Sequence, residues 1–166
     1  DLEHACDLVA TLGELTTASP DALVLEWAEG ARLRIARTLG TSSLKLRVER
    51  KRDWFGIRGG ADIDGKPIGI DALLAAARAG RRFVRMAGGD LVAIDRELRA
   101  RLARASDLLH ETKDGVVAHP PALSAVSELV ESEDEQIVAA KEWLELRARV
   151  RSAEAAEPAP LPAGLP

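Results

Sequence analysis

Cysteine is nearly missing from this chain: among 166 residues there is one, Cys6. A single thiol excludes an internal disulfide and a thiolate metal cluster, and it suits a cytoplasmic setting. Aromatic residues are almost as scarce, at 3%, with three Trp, two Phe and no Tyr. Rings this few are expected to anchor the core. No apolar run approaches the roughly 18 residues that span a bilayer, so no membrane partner is expected. Phosphate-binding signatures are missing as well. A Walker A loop needs G-x-x-x-x-G-K-[ST], whereas "GIRGGADIDG" places Gly56, Gly59, Gly60 and Gly65 at other spacings and ahead of a turn. His4, His110 and His119 show no metal-ligand spacing. His110 reads as a helix C-terminal residue, where a cation is favourable, and His119 as a turn residue before two prolines. Asp62 and Asp64 flank a tight turn, and turn chemistry explains both without catalysis. Cys6 falls on the apolar face of the first helix and is expected in the core. No serine sits in G-x-S-x-G. No catalytic residue, metal ligand or cofactor is therefore expected within these residues.

What is present is an apolar content of 46%, dominated by Ala, Leu and Val, and a charged content of 30% rich in Arg. The Ala/Arg bias suggests a high-GC genome. A net charge of -4 gives no global pull toward nucleic acid. The length suits one domain with a real core. Leu2, Cys6 and Val9 predict a helix over 2–12 that stops at Gly13. "SPDALVLEW" alternates Leu23, Leu25 and Trp27, and "ARLRIAR" alternates Leu33 and Ile35 with arginines, which together predict a hairpin. Leu44, Leu46 and Val48 alternate with Lys45, Arg47 and Glu49, as in an antiparallel strand with one wet face. Two further strands should join at Asp64-Gly65, with Gly59-Gly60 marking a bulge or bend.

Asp71 is expected to cap a helix carrying Leu73, Leu74 and Ala77, closed by Gly80. A second hairpin turns at Gly88-Gly89. Asp95 then caps a helix that presents Leu98, Leu102, Ala105 and Leu109. "KDGVVAHPP" reads as a short strand or turn, followed by a helix from about Pro121 with Leu123, Val126 and Val130 on one face. "SEDE" from Ser132 reads as a capping box opening the longest helix, with Ala139, Trp143, Leu146 and Val150 on one stripe. "EPAPLPAGLP" forms a semi-rigid linker. The predicted fold class is α+β, with small antiparallel sheets and four to five helices. It divides into a mixed domain over 1–131, a long C-terminal helix over 132–153 and a linker over 154–166. The layout of strand pair plus helix recurs at about 57–80 and 81–109.

Charge is uneven along this layout. Residues 32–58 hold nine Lys/Arg against two acids, and residues 128–157 hold nine acids against four bases. Within the basic stretch, "RKRDWFGIRGG" sets Trp54 and Phe55 among Arg47, Arg50, Lys51, Arg52 and Arg58. Cations interleaved with aromatics suit phosphate contact plus base stacking, so these five are the candidate residues for contact with nucleic acid or a partner. Alternation sends either Trp54 or Phe55 into the core. The single Arg-Gly-Gly is not a repeat. The acid-flanked C-terminal helix suits packing on the domain or docking of a partner helix.

The strand entering D-W-F, the "LLAAARAGRRFVRM-GG-" unit and the exit "PLPAGLP" together resemble the accessory region upstream of the ATPase core in bacterial Swi/Snf-type helicase-like proteins. The resemblance covers about residues 20–110 and the final tail. It implies a non-catalytic domain of a DNA-dependent, ATP-driven translocase, with ATP and magnesium held by an ATPase core beyond Pro166. Its implied partners are the ATPase lobes of the same polypeptide and duplex DNA, and its implied place is the cytoplasm, on the nucleoid when DNA-bound. A start at Asp1 and a Pro-rich end fit that expectation of a piece of a longer protein. None of the resembling motifs is catalytic, so no ATPase residue is carried onto this chain.

Overall fold

The structure, a computed structural model, describes residues 2–22, 35–86 and 89–154. In chain order it runs α1 (Leu2–Ala18), β1 (Ile35–Leu39), β2 (Leu44–Lys51), β3 (Trp54–Ile63), β4 (Lys66–Gly69), α2 (Ile70–Arg78), β5 (Phe83–Arg85), β6 (Leu91–Ile94) and α3 (Arg96–Ser106). It continues with β7 (Leu109–Thr112), β8 (Gly115–Ala118), α4 (Leu123–Ser127), α5 (Glu133–Gln136), β9 (Ile137–Ala139) and α6 (Lys141–Glu154). The α+β class is as the sequence predicts. A six-stranded sheet has the order β7-β8-β3-β2-β9, with β4 also on β3, and a three-stranded sheet has the order β1-β6-β5. Strand pair followed by helix occurs three times, as β3-β4-α2, β5-β6-α3 and β7-β8-α4.

The central strand of the larger sheet is β3. One edge pairs with β2 without interruption from Trp54 to Ala61. The other edge pairs with β8 at Phe55–Ile57 and then with β4 from Gly60 to Ile63. Gly59 and Gly60 sit where that edge changes partner, at φ 98° and 149°. A Cβ there would lie 2.2 Å from the Lys45 carbonyl oxygen and 2.0 Å from that of Ile68, so only glycine fits. Because the register with β2 is unbroken, the pair makes a bend and not a bulge. Asp64 and Gly65 (φ 53° and 77°) form the expected tight turn, and the Gly65 N–H donates to Asp62 Oδ1 at 2.9 Å.

The period-two pattern of β2 buries Leu44, Leu46 and Val48 against Phe55, Ile57 and Trp143 in one core. The helices α2, α3 and α4 cover that face with Leu74, Leu98, Leu102 and Val126. Asp95 caps α3 as expected, accepting from Leu98 N–H at 2.7 Å. At the end of α2, Gly80 and Arg81 donate to Ala77 and Ala76 carbonyls at 3.0 and 2.8 Å, a Schellman closure. A smaller cluster packs Cys6 of α1 with Phe83, Leu91 and Ala93, so Cys6 is a core residue.

Several local expectations are corrected. The helix α1 runs through Gly13 to Ala18. Gly69, not Asp71, is the N-cap of α2, and Asp71 lies in the first turn, where a carboxylate favours the helix dipole. The helix α3 ends at Ser106, and Leu109 is buried as the first residue of β7. Leu123 and Val126 lie on α4, while Val130 is buried beyond its end.

The C-terminal helix begins at Lys141, not at residue 132, and α1, with 17 residues against 14, is the longer helix. Ile137–Ala139 instead pairs with β2 in parallel. Gln136, nearly buried, pins the interruption. Its Nε2 donates to the Thr41 and Leu44 carbonyls, each at 2.7 Å, and its Oε1 accepts from the Glu131 and Ser132 amides. Of the predicted stripe, Trp143 is fully buried on α6 with Leu146 and Val150 beside it, whereas Ala139 lies on β9. Of the first predicted hairpin, residues 23–34 and Trp27 lie outside the described residues. Its remainder is β1, which pairs with β6 in parallel. Gly88 and the linker from residue 155 also lie outside them.

Candidate nucleic-acid interface

Neighbouring aromatics on β3 divide the larger sheet into two faces. Phe55 is buried and meets Trp143 edge-on at 5.2 Å between ring centroids. Trp54 points away from that contact and is 41% exposed. Its ring stands 5.5 Å from that of His119, which in turn stands 5.6 Å from His110, at interplanar angles of 65° and 66°. The two histidines meet because β7 and β8 pair, Leu109 opposite Ala118, and because β8 joins β3 at Phe55 opposite Ala118. His110 therefore lies on a strand and not at a helix C-terminus. His4 is exposed on α1. Among the described residues, no group of three or more His, Cys, Asp or Glu is placed to hold a metal ion.

The five candidate cations do not form one patch. Arg47 and Arg58 face each other across β2 and β3, with Glu49 Oε2 3.8 Å from Arg58 Nε. Lys51 and Arg58 line a cleft of about 250 Å³ with Trp54, Gly56, Lys113 and Asp114. Gly56 puts no side chain on the floor of this cleft, and the Lys51 chain covers it, with Cγ and Cε 3.6 Å from where a Cβ would stand. Three cations here face one acid.

Arg50 and Arg52 lie on the other side of Trp54, in a cleft of about 310 Å³. There Arg149 makes a third cation, against Asp53, Glu142 and Glu145. Alternation explains the division, since Lys51 continues the outward row of Lys45, Arg47 and Glu49 while Arg50 continues the inward row. Arg52 is in the β2–β3 turn at φ 42°, an uncommon conformation for a side chain with a Cβ. Trp54 forms the wall between the two clefts.

A further cleft, of about 630 Å³, lies between β1 and the β3–β4 hairpin, away from Trp54. One of its walls is β1, whose preceding residues are not described. Another, of about 240 Å³, lies between α4 and α6. There desolvation, and then Arg151, hold the Arg147 guanidinium below its usual range.

The arrangement around Trp54 joins an open aromatic ring to exposed cations. It suits a polyanion that carries flat rings. Lys113, His110, His119 and Gly56 belong to it without having been singled out as contact residues. Only the long-range pairing of β8 with β3 brings the first three to Trp54. No protein family, curated protein or solved structure matches this chain.

Proposed function

We propose that this chain is a non-catalytic accessory domain that contacts nucleic acid through the outward face of its larger sheet, beside the motor of a Swi/Snf-type ATP-driven translocase. The motor context rests on the resemblance in the D-W-F strand and the "LLAAARAGRRFVRM-GG-" unit. The contact rests on one observation above others: Trp54 stands open beside a cleft lined by Lys51, Arg58 and Lys113, against Asp114 and the Glu49 that pairs with Arg58. Phosphates bind such cations and release counterions.

Arg47, Lys51 and Arg58 as three contacts predict a log–log salt slope of about -2 to -3. Changing all three to Glu should abolish binding of a labelled oligonucleotide in an anisotropy titration and flatten that slope. If affinity and slope do not move, the face is not a nucleic-acid contact. A second reading, docking on the ATPase lobes, is favoured by the net charge of -4, which opposes strong autonomous DNA binding. It predicts that the triple variant loses association with the lobes while DNA binding stays as it was.

A further inference from the structure

We infer that the ligand of this face is single-stranded nucleic acid, with an unpaired base stacked on Trp54 in the cleft that Gly56 floors; this rests on the nucleic-acid reading above and refines it. Phosphate contacts alone would need only cations, and cations alone would not place a 41% exposed Trp between two clefts. A ring exposed to this extent in a chain with five aromatics carries a cost in apolar surface left in water. A base offers the matching π-face, and stacking on an aromatic side chain is tolerant of sequence because every base has one. In a duplex the bases are stacked on one another, and an unpaired base is the form that can enter.

The geometry fits an unpaired base in three respects. Gly56 contributes no side chain to the floor, so the space beside Trp54 is open to a ring once the Lys51 chain swings aside. That movement carries the Lys51 ammonium from the floor toward a phosphate at the rim. Lys113, in the β7–β8 turn, and Arg58, on β3, line the same cleft, so a backbone entering it meets cations from two elements. His119, exposed and 5.5 Å from Trp54, extends the aromatic surface toward His110.

The test compares oligo-dT of about 12 nucleotides, within the usual range of such sites, with a duplex of equal length, using the whole chain in anisotropy titrations at fixed salt. The strand should bind more tightly than the duplex. Trp54→Ala should weaken the strand by about 5- to 150-fold and the duplex by much less, with the salt slope unchanged. Trp54→Phe should retain most of the affinity, whereas Trp54→Leu, which keeps apolar bulk without a π-face, should fall with Ala. Thermal melting of each variant separates a binding loss from a folding loss. Equal effects of Ala, Leu and Phe, or an equal loss for strand and duplex, would overturn the inference while leaving the nucleic-acid reading in place. Failure of the unaltered chain to bind either form would overturn both.

Discussion

Trp54 and Phe55 are adjacent in the chain and have opposite fates. Phe55 faces a closed layer, packed on Trp143 beneath α6 and surrounded by aliphatic side chains. Trp54 faces an open one, where its ring neighbour is His119, its cross-strand partner is Lys51, and Arg58 lines the same cleft. The inward face of this sheet is roofed by helices, whereas the outward face carries cations, a glycine covered only by the Lys51 chain, and rings. The comparison teaches that scarcity of aromatics does not by itself make each ring a core anchor. The inward ring serves the fold, and the outward one is left open.

The sharpest way to break the comparison is to truncate both rings. Phe55→Ala or Trp143→Ala should cost about 3–5 kcal/mol in urea unfolding, whereas Trp54→Ala should cost less than about 1 kcal/mol. Equal losses would mean that the outward face is structural too. Next, Gln136→Leu should destabilise by about 1–3 kcal/mol, because the Thr41 and Leu44 carbonyls and the Glu131 and Ser132 amides lose their partner. Amide exchange should then rise at β9 and α6, which close the inward side, and stay unchanged at Trp54. The smallest effect is expected for Glu49→Gln. The Arg58–Glu49 pair is 59% and 40% exposed at its side chains, so stability should move by less than about 0.5 kcal/mol. Oligonucleotide affinity should rise a few-fold, by about 2- to 5-fold, as Arg58 loses a competing acid.

Much of this division is legible in the sequence, because the strict alternation from Leu44 to Glu49 assigns each side chain to a face. Carried two residues further, the same alternation separates Lys51 from Arg50. The turn at Arg52-Asp53 then interrupts the pattern and hides the sorting of the five cations. The break before α6 was less legible. "SEDE" is a strong helix start, and Trp143, Leu146 and Val150 keep helical spacing, so Ile137–Ala139 reads as helix in between. Two β-branched residues beside the free edge of β2 pair with it instead, and Gln136 fixes the outcome. Leu109 misled in a similar way: it continues the i, i+4 rhythm of α3, yet a buried first residue of β7 satisfies the same apolar position. The meeting of Trp54, His119 and His110 depends on pairing between residues more than 50 positions apart, and no local pattern announces it.

The most direct test of the central claim is a map of amide and indole NMR shifts on titration with oligo-dT. The largest changes should fall on the Trp54 indole N–H and on the backbone of Lys51, Gly56, Arg58, Lys113 and Val117, with Trp143 and α1 unmoved. Shifts gathered on α1 or around Trp143, or none at all at saturating oligonucleotide, would contradict the account.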